Sequence, residues 1–306
     1  MTTLLQELSK KLAERWATVL IGPGLLFTAC AVIAHHLGSQ HALDVTELRQ
    51  YATELARGRT TGDLLVIGAA TTLGAVTAGL AVAGTSRIVQ ALWMPTAPGW
   101  YVDALTRLRA ARWDRAETAL ANATTAARQQ QARDRVLGRP PATRFPTVLR
   151  YSRRRSRIGE TRPDRPTWSA QRMADAAATV RGRYALDLNR LWPHLWAVSD
   201  GEIRADIGNV QENYAASSRL AAWGAAYLLL AGVTAWWPAA LLAMILILTA
   251  RNRARTAVGA LAVLVVAATD LHICDMAARL GVPCDNAFTA QTAADINTVL
   301  DTNTTP

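Results

Sequence analysis

The apolar residues of this chain gather in blocks toward its two ends, and most of its charge lies between them. A helical block of roughly 20 apolar residues spans a hydrocarbon core about 30 Å thick, where no water is present to satisfy an open backbone. Such a distribution points to apolar helices immersed in lipid, and a length of 306 residues leaves room for a soluble insert between them. The overall hydrophobic share of 51% is ordinary for a soluble protein, so the signal lies in the distribution rather than the average.

The first block runs from Trp16 to Leu37 behind Lys10, Lys11 and Arg15. It is longer than the ~7–15 residues of a cleaved leader's apolar core, so an uncleaved anchor is expected. Leu5, Leu8 and Leu12 precede it at helical spacing, which predicts an amphipathic lead-in on the inner membrane surface. Gly74, Ala75 and Gly79 stand in the second block, Leu64 to Trp93. Small residues let backbones approach where lipid supplies no drive for association, so these three suit a helix–helix contact; a merely Ala/Gly-rich span is the alternative. Leu220 to Trp237 and Ala239 to Ala250 follow, parted by Trp236, Trp237 and Pro238, which predict a tight turn at an interface. The expected fold is all-α: an integral membrane protein of about four transmembrane helices in two hairpins, with a helical cytoplasmic domain between them. Its expected segments are 1–93, an amphipathic lead-in and first hairpin; 94–218, the Arg-rich domain; 219–250, the second hairpin; 251–285, a cytoplasmic helix; and 286–306, a polar tail.

Arginine placement sets the expected orientation. Between Met94 and Ser218 there are 21 Arg against 12 Asp plus Glu, whereas the connection from Gly38 to Gly62 carries balancing charges. Basic connections stay on the side of synthesis, so the insert and both termini are expected in the cytoplasm, in a multi-pass plasma-membrane protein. Thr256 to Thr269 is apolar but short, and Asp270, His272 and Asp275 follow it at once. A cytoplasmic helix packed on the insert fits it best, with a fifth span as the alternative.

Within the insert, helices are expected from Tyr101 to about Leu137 and from Ser169 to Tyr184, with an irregular stretch from Gly138 to Pro166. Leu188, Leu191, Trp192, Leu195 and Trp196 crowd around Pro193 and form the expected domain core. Ser199 and Glu202 have capping-box spacing, and Ile203, Ile207, Val210 and Tyr214 then repeat on one helical face. This helix is expected to reach the third span after a short break.

Reactive constellations do not emerge. No nucleophile motif or phosphate-binding glycine loop is present, so no catalytic residue and no cofactor are expected. Cys30, Cys274 and Cys284 form no framework, and all three are expected to be reduced. Asp270, His272, Cys274, Asp275 and Cys284 are metal-ligand types without the paired spacing of a zinc site, so no metal is expected. Asp270 and His272 are instead expected to make polar contacts near the Leu186–Trp196 stretch. Arg153, Arg154, Arg155 and Arg157 can meet anionic lipid headgroups or a protein partner, or serve only as a solvated topogenic loop. Nucleic acid is not expected, because no aromatic–basic module accompanies the run. His35, His36 and His41 stand at the outer face, next to an expected amphipathic helix between Asp44 and Arg57.

The succession PTVLR, RYALDLNRLWPHLW, SDGEIRADI, an apolar hairpin with WWP, and AATDLH resembles a family of uncharacterised actinobacterial multi-spanning membrane proteins, over roughly Pro146 to Leu280. The resemblance implies the topology above and no activity; the run YSRRRSR departs from the family's usual acidic continuation. The residues therefore lead to a non-enzymatic, membrane-anchored interaction or scaffold component that meets a cytosolic protein. The alternative is a membrane effector or small channel of a bacterial conflict system, forming a homo-oligomer through its Gly-rich span.

Overall fold

The computed structural model describes residues 22–39, 42–57, 60–95, 99–140, 145–159, 161–284 and 287–302, and among these there is no strand. The helices are α1 (Gly22–Leu37), α2 (Val45–Ala56), α3 (Thr61–Trp93), α4 (Trp100–Val136), α5 (Pro146–Ser156), α6 (Trp168–Tyr184), α7 (Leu188–Val198), α8 (Gly201–Thr234), α9 (Trp237–Arg279) and α10 (Ala290–Thr302). The chain divides into two compact units, one formed by Met1–Gln90 with Glu212–Ala254 and the other by Ala91–Gln211 with Arg255–Pro306. Lys10, Lys11, Trp16 and the leucines of the expected lead-in lie outside the described residues, as does His41.

Small residues let the helices of the first unit approach closely. A Cβ on Gly24 of α1 would fall 2.3 Å from the backbone oxygen of Ala75 on α3, so only glycine permits this approach. Ala75, Gly79, Val82 and Ser86 are the buried residues of α3, and their i, i+4, i+7, i+11 spacing defines a single stripe. Phe27 of α1 packs between Trp223 and Tyr227 of α8, with ring centroids 5.7 and 5.2 Å away. A Cβ on Gly224 would stand 2.6 Å from Ile247 Cγ1 and 3.3 Å from the Ala243 carbonyl oxygen, so α8 and α9 also pack closely. Those two helices turn through Ala235, held in the left-handed region at φ 54°. Pro238 sits in the first turn of α9, where its missing N–H costs nothing, and the Trp236 indole donates to the Ala42 carbonyl at 3.0 Å.

Among the described residues the larger apolar core is that of the second unit. Val180 of α6, Leu186, Leu188 and Leu191 meet Val265, Ile273 and Met276 of α9 and Ile296 and Leu300 of α10. Leu195 is fully buried as well, while Trp192 and Trp196 are half-buried with ring centroids 5.9 Å apart. Polar caps set the helix starts: Thr167 accepts from the Ala170 amide, and Asp187 from the Asn189 amide. Helix α6 ends on Ala185 in the left-handed region at φ 53°.

Several expectations need correcting. The stretch from Gly138 to Pro166 is not irregular throughout, because Pro146 opens α5 at a position where proline favours a helix start. Ser199 forms no capping box; its hydroxyl donates to the Leu195 carbonyl at 2.7 Å and so finishes α7. Helix α8 passes from the insert into the apolar region without a break. Likewise α9 continues through Arg251 and Arg255, so Ala239 to Ala250 and Thr256 to Thr269 belong to one helix. In its second part Val258, Ala262, Val265 and Thr269 are buried. The segment taken for a polar tail contributes α10, whose Ala293, Ile296 and Leu300 share one buried face. Finally, Cys274 and Cys284 are joined by a disulfide across Gly281, a turn residue at φ 78°.

Candidate functional site

Arginine handling on α4 and α5 defines the surface with the strongest chemical character. Arg109 reaches across to the segment after α5, where Nη1 donates to the Arg165 and Thr167 carbonyls at 3.0 and 2.6 Å and Nη2 to the Ile158 carbonyl at 2.6 Å. Burial, with Arg255 nearby, holds its guanidinium below the usual value. The Trp113 indole donates to the Gly159 carbonyl at 3.1 Å, and Arg162 forms a two-bond pair with Asp114 at 3.0 Å. Asp114 is held below the ordinary carboxylate range by that hydrogen bond. These contacts fix α5 against α4.

Fixing the pair sorts the predicted basic run. Arg155 turns inward, ion-paired with Glu117 at 2.7 Å and lying 5.2 Å from the centre of the Trp113 ring. Arg153, Arg154 and Arg157 point the other way and are exposed. Arg150 joins them, because 150, 153, 154 and 157 follow the i, i+3, i+4, i+7 rule for one helical face. Next to Arg154 the groove is completed by Arg112 and Arg115 of α4. None of these six arginines is in an ion pair among the described residues. Sequence reasoning missed Arg112, Arg115 and Arg150; the helical spacing of the last was available once Pro146 was read as a helix start.

The same exposed stripe of α4 has an apolar end. Tyr101, Leu105 and Leu108 precede Arg112 and Arg115 at alternating steps of four and three, all five are exposed, and Leu108 is 59% accessible. Trp100, at the helix start, is 84% accessible.

The other predicted residues are distributed as follows. Ala75 and Gly79 are buried on α3, with Ala75 against Gly24, and a Cβ on Gly74 would meet only the Thr28 side chain at 3.7 Å. Asp270 accepts from Arg183 Nη1 and from the Tyr184 hydroxyl, both at 2.8 Å. Its partners therefore lie on the last turn of α6, just ahead of the stretch named for them. His272 is buried, with Nδ1 3.4 Å from Asp275 and Nε2 3.8 Å from Asp200. No group of metal-ligand side chains forms among the described residues. His36 stacks on Tyr51 at 4.0 Å, joining α1 to α2. Compared with protein-family models, curated proteins and solved structures, the chain matches none.

Proposed function

We propose that this chain is a non-enzymatic membrane-anchored interaction component: four apolar segments hold it in the plasma membrane, both termini face the cytoplasm, and the Arg-rich helical unit meets a cytosolic protein. The observation that carries this reading is the bare apolar flank of α3. Helices α3 and α9 are long and apolar enough to cross a membrane, and only 17% of the most apolar window of α3 is buried. Leu65, Val66 and Leu73 are each about 70% accessible, which in water would be an aggregation hazard and in lipid is the normal state. The arginine surplus of the second unit supports its cytoplasmic side.

The conflict-effector reading rests on the small residues of α3. Ala75 of that run packs against Gly24 within the chain, while a Cβ on Gly68 or Gly84 would meet nothing within 4 Å.

Carbonate washing of membranes is expected to leave the chain in the pellet, and protease added outside intact cells is expected to spare the segment between Gly138 and Pro166. Cleavage there before permeabilisation inverts the proposed orientation. Crosslinking from exposed positions of α6 and α7 in cells is then expected to recover one cytosolic protein reproducibly, and recovery of none argues against the partner.

A further inference from the structure

We propose that the arginine face of α4 and α5 binds the phosphate groups of anionic lipid, so that this face is a membrane-docking surface of the second unit. The proposal rests on the membrane-anchored reading above and names the ligand of its most basic surface.

Three observations lead to lipid. Arg112, Arg115, Arg150, Arg153, Arg154 and Arg157 are exposed together, with no acidic partner among the described residues. Like charges three and four positions apart on a helix repel, so the arrangement is relieved by an external anion of several charges. Guanidinium groups favour phosphate oxygens, which they grip through paired N–H donors.

Next, the basic stripe on α4 continues into Leu108, Leu105 and Tyr101, all exposed on the same side. A soluble phosphate compound or a nucleic-acid backbone gives those leucines nothing to bury against. A bilayer supplies both layers at once to a stripe that enters it at an angle, apolar end first: the acyl boundary for the leucines and tyrosine, and phosphates for the arginines.

Lastly, the apolar end of the stripe is the end tethered near lipid. Helix α3 finishes at Trp93 and α4 begins at Trp100, so the connection spans at most ~20–25 Å even when fully extended. Trp93, Trp100 and Tyr101 are the residue types that settle at headgroup level. A phosphate-seeking surface that starts within that reach meets lipid headgroups at a far higher local concentration than any free anion.

The full chain reconstituted in bilayer discs provides the test, using discs of neutral phosphatidylcholine and discs with one part in three of phosphatidylglycerol. Hydrogen exchange is followed over residues 100–116 and 146–158. Protection of both segments is expected to rise in the anionic discs and to fall back in molar salt. It is expected to drop about fivefold for each of Arg150→Gln, Arg153→Gln and Arg157→Gln, from about 1 kcal/mol per basic residue near a charged surface. These side chains are exposed, so the variants should keep their fold, and unchanged exchange in the α6–α7 core verifies that. Equal protection in neutral and anionic discs overturns the proposal while leaving the anchor intact. Protection in neutral discs on adding a short RNA duplex, to the level seen with anionic lipid, overturns it in favour of nucleic acid. Failure of the chain to enter discs at all overturns the anchored reading and the docking surface together.

Discussion

Tyr184 and Asp270 show how one polar pair ties the two ends of the second unit's sequence together. Asp270 lies on the exposed flank of α9, and its carboxylate takes the Tyr184 hydroxyl and the Arg183 guanidinium at the C-terminus of α6. Burial first, and then the hydrogen bond to Asp270, push the Tyr184 phenol up from its ordinary value. A phenol harder to ionise in the folded state favours folding fully below its unfolded value of about 10. That contribution is lost as pH rises through the higher folded value. Tyr184→Phe is therefore expected to cost about 0.5 to 1 kcal/mol at neutral pH and to remove this alkaline loss of stability, as read by denaturant titration at neutral and alkaline pH. An alkaline limb unchanged in the variant would assign the contact to Arg183 alone. From the sequence Asp270 is expected to make a polar contact, because an ionisable residue directly after an apolar run needs a partner, and in the structure it takes Arg183 and Tyr184. Those partners directly precede the Leu186–Trp196 stretch, since Leu186 and Leu188 turn into the core and leave the α6 terminus as the polar edge.

At the level of elements, glycine and alanine spacing determines which helices can touch. Gly24 and Ala75 bring α1 and α3 to backbone contact, whereas a Cβ on Gly68 of the same α3 would meet nothing within 4 Å. Gly24→Val is expected to force the helices apart and to cost about 1–3 kcal/mol, read as a lower unfolding temperature in detergent. Gly68→Ala is expected to leave that temperature unchanged or raise it, because alanine is the better helix former. Equal effects from the two substitutions would show that the approach at Gly24 does not hold the pair. The small-residue run was legible in the sequence as a contact face; its partner was not, since any of the apolar helices offered a matching surface. Helix α5 escaped notice because the prolines around it and its repeated arginines look like loop composition. In the structure Pro146 is the first residue of the helix, and the arginines divide between an inner pair with Glu117 and an outer face.

For the whole molecule, the division falls between an apolar unit and a charged one, with α8 and α9 contributing residues to each. The cysteines turn this division into a measurement of sidedness. Cys274 and Cys284 approach to 5.3 Å between Cα atoms and are bonded, although the orientation we propose puts their unit in the cytoplasm. Disulfides persist in oxidising compartments and open in a reducing cytosol. Rapid alkylation of intact cells is therefore expected to trap both sulfurs as thiols, with the bond closing only on oxidation. A closed bond in quenched cells would move the second unit to the opposite side. The sequence by itself determined that the chain is helical, where its apolar blocks lie and where its positive charge accumulates, because these follow from composition over a window and from helical periodicity. Tertiary structure decided that the last segment is a helix completing the core, that two cysteines ten positions apart meet, and that six arginines from two helices form one face. Each of these depends on residues distant in the chain being brought together by packing, and no local pattern encodes that distance.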